Sequence, residues 1–216
     1  MDNEPSLLSA IPQLSMDGSG TDQGAKDTVT QDMSATQDMS AAGVLLAAGA
    51  GVRYGMPKVR AEGGAWLRLG VAALHQGGCR DVVVVLGAAV VDVPAPARAV
   101  VAEDWADGVS ASVRAGVLAL RDDAEFVVVT TVDTPDVGAA AVRRVLAAAR
   151  SSESGLARAR YGDRPGHPVV IARRHWPQLL DALAGDEGAG PFLRARADVV
   201  AVDCADLGSG IDVDER

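Results

Sequence analysis

Arg53 and Lys58 are spaced and flanked for work on phosphate, and Asp133 stands where a cation beside phosphate could be held. The first two close a glycine-rich run, Gly43-Val44-Leu45-Leu46-Ala47-Ala48-Gly49-Ala50-Gly51-Val52-Arg53-Tyr54-Gly55-Met56-Pro57-Lys58. Glycine reaches positive φ and has no Cβ, so a ligand can come close to the backbone. Turned backbone N–H groups in such a loop form a concavity suited to phosphate oxygens. Arg53 adds a flat, charged fork and Lys58 a point charge. Together they read as a cradle for a nucleoside triphosphate, with Gly49, Gly51 and Gly55 allowing the close approach.

Two other phosphate loops are set aside. The Walker pattern Gly-x-x-x-x-Gly-Lys-Ser/Thr does not occur in the chain. The dinucleotide fingerprint fits only loosely, because Gly49-x-Gly51 is followed by Gly55 and not by a glycine at the third place. That fold also wants an acid at the end of its second strand, whereas here the run Val82 to Leu86 ends in Gly87-Ala88. This counts against a nicotinamide-dependent oxidoreductase.

Asp133 follows the apolar run Phe126 to Val132 and precedes Thr134-Pro135. A carboxylate at the end of a buried strand can hold a cation beside phosphates, and Mg²⁺ takes one or two carboxylates together with phosphate oxygens and water. Asp-x-Pro also opens turns, and spacing alone does not choose between the two. Asp212 and Asp214 lie two apart, on one side of an extended segment; a solvated, frayed acidic end is the plainer alternative. Trp105-Ala106-Asp107-Gly108-Val109-Ser110-Ala111-Ser112 opens a helix. Ser110 can cap it, and Ser112 stands in the first turn, where hydroxyl and N–H groups meet a ligand or serve only the helix.

The elements that must position these groups alternate. Strands are expected at Val44–Leu46, Val82–Leu86, Ala99–Ala102, Phe126–Val132 and Val199–Val202, with helices at Trp66–Gln76, Val109–Leu120, Ala139–Arg150, Trp176–Ala184 and Phe192–Ala197. Leu156–Arg160 and Val169–Ala172 read as a hairpin-type pair around a loop from Tyr161 to Pro168. This pattern indicates an α/β fold with a mostly parallel sheet, whose ligands sit beyond the carboxyl ends of the strands, where the cradle and Asp133 both fall.

Composition narrows the class further. With 48% apolar residues but only 3% aromatics, the core has to be built from Ala, Val and Leu. A net charge of −9 makes nucleic acid a poor partner. No run is long enough to span a bilayer and no secretory leader opens the chain, so a cytoplasmic protein is expected. Cys79 and Cys204 are far apart and form neither a disulfide framework nor a metal cluster. Residues 1–42 are acidic and repeat Thr30-Gln31-Asp32-Met33-Ser34-Ala35 as Thr36-Gln37-Asp38-Met39-Ser40-Ala41; they read as a disordered low-complexity tail ahead of one domain over residues 43–216.

The run Leu46-Ala47-Ala48-Gly49-x-Gly51-x-Arg53-x-Gly55-x-Pro57-Lys58 resembles the signature of the MobA-like nucleotidyltransferases, and in particular the molybdenum cofactor cytidylyltransferases. The resemblance covers nearly all of residues 43–214. It implies a Rossmann-like, three-layer domain of the nucleotide-diphospho-sugar transferase type that passes a nucleotidyl group to a phosphorylated acceptor and releases pyrophosphate. It makes Arg53, Lys58 and Asp133 catalytic. Ala47, Ala48, Gly49, Gly51 and Ser112 join Arg53 and Lys58 as nucleotide-binding residues, and Asp133 and Asp214, with Asp212 as the second choice for the latter, become ligands of Mg²⁺. Gly162-Asp163-Arg164-Pro165-Gly166-His167-Pro168-Val169 is similar to a family block near the acceptor, and Gly185-Asp186-Glu187-Gly188-Ala189 to a family loop. His167 and Asp186 are therefore expected on the acceptor side, each with a plain turn role as the alternative. Ala47-Ala48-Gly49 resembles the cytidylyl branch, which points to CTP and a molybdopterin-like acceptor, with GTP next. A molybdoenzyme or its maturation factor is the implied protein partner. Sugar phosphates or other small phosphorylated metabolites remain open as acceptors, as does a nucleotide-binding protein without turnover. The chain departs from the family after Asp214, where Thr-Pro-Glu is absent.

Overall fold

The structure, a computed structural model, describes residues 40–215. The tail expected over residues 1–42 lies, apart from its last three residues, outside the described residues. Those three belong to the domain: strand β1 runs Ala41–Leu46, starting before the expected boundary at Gly43, and the Ser40 carbonyl accepts the Glu125 N–H at 2.9 Å.

Among the described residues seven strands form one sheet. They are β1, β2 (Asp81–Leu86), β3 (Arg98–Val101), β4 (Phe126–Thr131), β5 (Leu156–Tyr161), β6 (Arg164–Ala172) and β7 (Val200–Asp203). Their order is β3-β2-β1-β4-β6-β5-β7. Only β6 runs against its neighbours, so the sheet is mostly parallel, as expected. The central strands are continuous Val/Leu runs because both of their faces are covered.

Among the described residues five α-helices make the covers: α1 (Ala61–Gln76), α2 (Val109–Leu118), α3 (Ala139–Ser151), α4 (Trp176–Ala182) and α5 (Gly190–Arg194). Leu45, Val84, Leu86 and Val128 pack on one side with Leu74 of α1 and Val142 and Leu146 of α3. Val44, Val83, Val85 and Val129 pack on the other with Val113 and Val117 of α2, Leu179 of α4 and Phe192 of α5. With so few aromatics, the helices must come close to be filled by small side chains. Gly116 shows how close: a Cβ there would stand 2.5 Å from Val44 Cγ1. The result is a three-layer α/β domain.

Two expectations need correction. The segment from Arg164 to Pro168 is not loop but the start of β6; the turn shrinks to Gly162-Asp163, with Gly162 at φ +63°, and an irregularity between Arg158 and Arg160 absorbs the extra length. Ser110 does not cap α2. Gly108 is the N-cap residue and no side chain bonds there; instead the Ser110 N–H donates to the Gly185 carbonyl at 3.0 Å.

Candidate functional site

β1 is flanked by β2 on one side and β4 on the other, so the loops leaving β1 and β4 open beside each other at the carboxyl end of the sheet. Open α/β sheets take their ligands at such a switch point. A cleft of roughly 350 Å³ lies there, lined among others by Ala47, Ala48, Gly49, Gly51, Arg53 and Lys58. Ser112, Asp133 and Asp214 complete its wall from three other parts of the chain.

The loop after β1 holds its shape through Gly51, at φ +61°. A Cβ at Gly51 would lie 1.9 Å from the Met56 carbonyl oxygen, so no other residue fits. Gly55 N–H closes the turn on the Gly51 carbonyl at 2.9 Å. Gly49 differs: a Cβ there would meet nothing within 4 Å, which leaves free space for a ligand beside its backbone.

Lys58 stands between two carboxylates. Its Nζ donates to Asp133 Oδ2 at 2.9 Å and to Asp214 Oδ1 at 2.8 Å. Arg53 reaches the other oxygen of Asp214 at 3.1 Å but is itself 72% exposed, against 13% for the Lys58 side chain. Burial disfavours the Lys58 charge, yet its bonds to Asp214 and Asp133 outweigh that and hold its pKa above the usual value. The same bond from Lys58 keeps the Asp214 carboxyl below its usual range. Asp212 sits nearby; burial, then the charges of Asp133 and Asp214, push its carboxyl up.

Asp214 is not frayed. The Val213 N–H donates to the Asp133 carbonyl at 2.9 Å, and the Ser209 N–H and hydroxyl both donate to Asp136 Oδ2 at 2.6 Å. Gly210 packs against the Tyr161 ring, where a Cβ would come within 2.2 Å. These contacts bind the segment from Ser209 to Asp214 as a strap over the end of β4.

The residues fit a divalent cation. Asp133 Oδ1 is buried and has no hydrogen-bond partner, which is costly for a carboxylate oxygen unless something else meets it. Lys58 already places one positive charge between the two acids. Among the described residues no group of three or more His, Cys, Asp or Glu is arranged to hold a metal, but two carboxylates suffice for Mg²⁺ when phosphates and water complete the shell.

Two expected residues do not line the cleft. His167 is half-buried on β6, where its Nδ1 lies 3.4 Å from the Val129 carbonyl. Burial lowers its pKa, so the ring is neutral near pH 7 and Nδ1–H is the donor. Asp186 is exposed beside Gly108, where a Cβ would lie 2.7 Å from Asp186 Oδ1. Its loop packs on the start of α2 rather than on the phosphate cradle. Conversely, Tyr54, Val109 and Thr131 line the cleft without having been singled out in the sequence. Tyr54 leans on Trp66 with ring centres 5.2 Å apart, which fixes the loop against α1. Its place between Arg53 and Gly55 was the available signal.

Fold and site thus define an α/β nucleotide-binding domain with a paired-carboxylate floor. The chain belongs to the MobA-like NTP transferase family, whose domain model matches residues 43–200. Nicotine blue oxidoreductase of Paenarthrobacter nicotinovorans is 36% identical over 149 residues, which is 64% of this chain and 72% of that protein. The structure of Rv0371c from Mycobacterium tuberculosis H37Rv is similar with a TM-score of 0.65 and 26% identity, covering 82% of this chain and 94% of that one. The inositol-1-phosphate CTP transferase of T. maritima shares the fold, with a TM-score of 0.57 at 14% identity over 83% of this chain and 91% of that one. Among the described residues no helix is long and apolar enough to cross a membrane.

Proposed function

We propose that this protein transfers a nucleotidyl group, CMP from CTP, to a phosphorylated acceptor such as a molybdopterin, with release of pyrophosphate. The observation that carries the reading is Lys58 held between Asp133 and Asp214 at the floor of the glycine-lined cleft. An oxygen of the acceptor phosphate attacks the α-phosphorus of the triphosphate, the bond from that phosphorus to the bridging oxygen breaks, and the electron pair leaves with pyrophosphate. The acceptor oxygen is already ionised, so no general base is needed. Positioning and charge neutralisation supply most of the acceleration. Backbone N–H groups from Ala48 to Gly51 hold the phosphates, the Ala47 N–H being bonded to the Val85 carbonyl at 2.9 Å. Arg53 and Lys58 neutralise the departing pyrophosphate, and Ser112 with Val109 faces the nucleoside. Asp133 and Asp214 would hold Mg²⁺, which supplies Lewis-acid stabilisation of the phosphate charge.

Calorimetric titration with CTP, GTP, ATP and UTP in the presence of Mg²⁺, beside Asp133→Ala, tests the proposal. Tight CTP binding that needs Mg²⁺ and Asp133 is expected, with pyrophosphate release once an acceptor is added. A preference for GTP moves the branch and keeps the chemistry. Absence of any triphosphate binding by folded protein refutes the reading.

A redox reading has one observation behind it, the name of the curated relative. Against it, β2 ends at Leu86 and the next residue, Gly87, packs against Trp105 and Ala48, leaving no acid to take a ribose hydroxyl. Oxidation of NADH or NADPH by the purified protein, with no triphosphate binding, would establish it in place of nucleotidyl transfer.

A further inference from the structure

Arg158 is a half-buried cation without a carboxylate. Arg98, Arg144, Arg160 and Arg196 each pair with an acid. Arg158 has no such partner among the described residues, and its Nε donates to the Gly166 carbonyl at 3.2 Å. Burial and then the charge of Arg194 hold its pKa below the usual arginine value, so the surroundings are short of negative charge. Arg194 has its own counter-charge, Glu187 at 2.8 Å, whereas Arg158 has none among the described residues. Withdrawing a cation from water without a counter-charge is unfavourable, and an arriving anion removes that cost.

The sheet register places this charge beside the cleft. Val169 of β6 is opposite both Arg158 of β5 and Val129 of β4. Gly166 lies in the irregular stretch of β6 between Val169 and Pro165, and Pro165 is opposite Arg160, two residues beyond Arg158 toward the carboxyl end of the sheet, where β4 leads into Asp133. The bond to Gly166 therefore draws the guanidinium off its own strand toward the carboxyl end of β4. His167 confirms the neighbourhood: its ring feels both the positive charge of Arg158 and the negative charge of Asp133. With Nε committed to Gly166, the terminal nitrogens remain as a fork that matches two oxygens of a phosphate.

We infer that Arg158 receives the phosphate of the second substrate and sets it beside the triphosphate cleft. The ligand's identity as an acceptor rests on the nucleotidyl-transfer reading; the anion site itself does not. It also gives the chain a means of selecting phosphorylated over neutral acceptors, since a neutral hydroxyl compound leaves Arg158 uncompensated.

The test fills the cradle first. Protein is saturated with Mg²⁺ and a non-hydrolysable α,β-methylene analogue of CTP, so that Arg53 and Lys58 are occupied, and inorganic phosphate is then titrated by phosphorus NMR and calorimetry. Wild type is expected to bind phosphate, Arg158→Gln at least tenfold more weakly, and Arg158→Lys in between, with the analogue's affinity the same in all three. Unchanged phosphate affinity in Arg158→Gln, or no phosphate binding by the loaded wild type, overturns the inference and leaves nucleotidyl transfer standing. If folded wild type binds no analogue, the nucleotidyl reading fails instead. The same phosphate titration on the free protein then still decides on Arg158: a tenfold loss in Arg158→Gln supports the anion site and no change overturns it.

Discussion

Replacing Lys58 by methionine should destabilise the free protein and at the same time make it a better receptor for a divalent cation. Lys58 Nζ is 2.9 Å from one carboxylate and 2.8 Å from the other, with a side chain only 13% exposed. At an effective dielectric constant near 20, unit charges about 4 Å apart attract by roughly 4 kcal/mol. Desolvation of the ammonium offsets part of this, and breaking a buried pair by removing one partner costs about 3–5 kcal/mol. Asp214 is 42% exposed and can turn to water, which puts the expected cost near the lower end, about 3 kcal/mol. For a domain of 150–250 residues each kcal/mol moves Tm by roughly 2–4 °C, so Lys58→Met should melt about 6–12 °C lower. In wild type a divalent ion has to displace Lys58 from Asp133 and Asp214; in the variant it meets a bare Asp133 and an Asp214 held only by the exposed Arg53. Its affinity should rise at least tenfold, about 1.4 kcal/mol. At a concentration about 100 times Kd, Mn²⁺ then returns about 2.7 kcal/mol and cancels most of the loss. The assay is thermal melting of nucleotide-free protein over a MnCl₂ series, with Asp133→Asn added to Lys58→Met as the control that should lose the rescue. A variant whose Tm responds to Mn²⁺ no more than wild type would refute the claim that Lys58 occupies a cation position.

Gly51→Ala should abolish triphosphate binding, because its Cβ would strike the Met56 carbonyl at a positive φ, whereas Gly49→Ala should leave Tm unchanged and weaken binding only by crowding the ligand; calorimetry with melting curves separates the two. His167 is neutral in the fold because burial lowers its pKa, so the unfolded chain takes up a proton first as pH falls below 6.5 and stability is lost from there downward, with no effect above. His167→Gln should flatten that limb in melting curves from pH 7.5 to 5, and an unchanged slope would count against the neutral ring. Asp136→Ala should free the strap that carries Asp214 and weaken Mn²⁺ binding severalfold; as the loss of exposed hydrogen bonds is worth about 1 kcal/mol, Tm should fall by only about 2–4 °C.

The glycine loop and Lys58 were legible in the sequence because they sit where local rules are strong, directly after a buried strand; Asp133 also ends a strand, but an Asp-x-Pro turn looks the same there, and only the family resemblance chose between the two. Asp214 needed the family resemblance, since an acidic end looks the same whether frayed or fastened. Its fastening depends on Asp136 and Tyr161, far away in the chain, and no local pattern announces them. The β5–β6 turn was placed too wide for a related reason. Arg164, Pro165, Gly166 and Pro168 are poor strand formers by themselves, and pairing with β5 outweighs that preference. Arg158 was invisible for the opposite reason: an arginine alternating with alanines reads as an ordinary exposed strand position, and only the register shows that no acid comes to meet it.

Lys58 also suggests an order of events on the proposed reading. One ammonium cannot serve two carboxylates and a triphosphate at full strength together. While the cleft is empty, Lys58 compensates Asp133 and Asp214 and keeps two acids close enough to share a cation later. A triphosphate alone brings more negative charge toward those acids and gains Lys58 only by uncovering them. A cation alone must expel Lys58 into a loop already held by Arg53 on Asp214. Arrival of both at once solves each problem, because the cation takes over the acids while the phosphates take over Lys58. Binding of nucleotide and metal should therefore be strongly cooperative in wild type, each raising the affinity of the other by the same factor. In Lys58→Met that coupling should shrink, since the metal no longer has to displace the buried ammonium. Measuring CTP affinity at several Mn²⁺ concentrations in both proteins checks this, and equal coupling in the two would show that Lys58 plays no part in it.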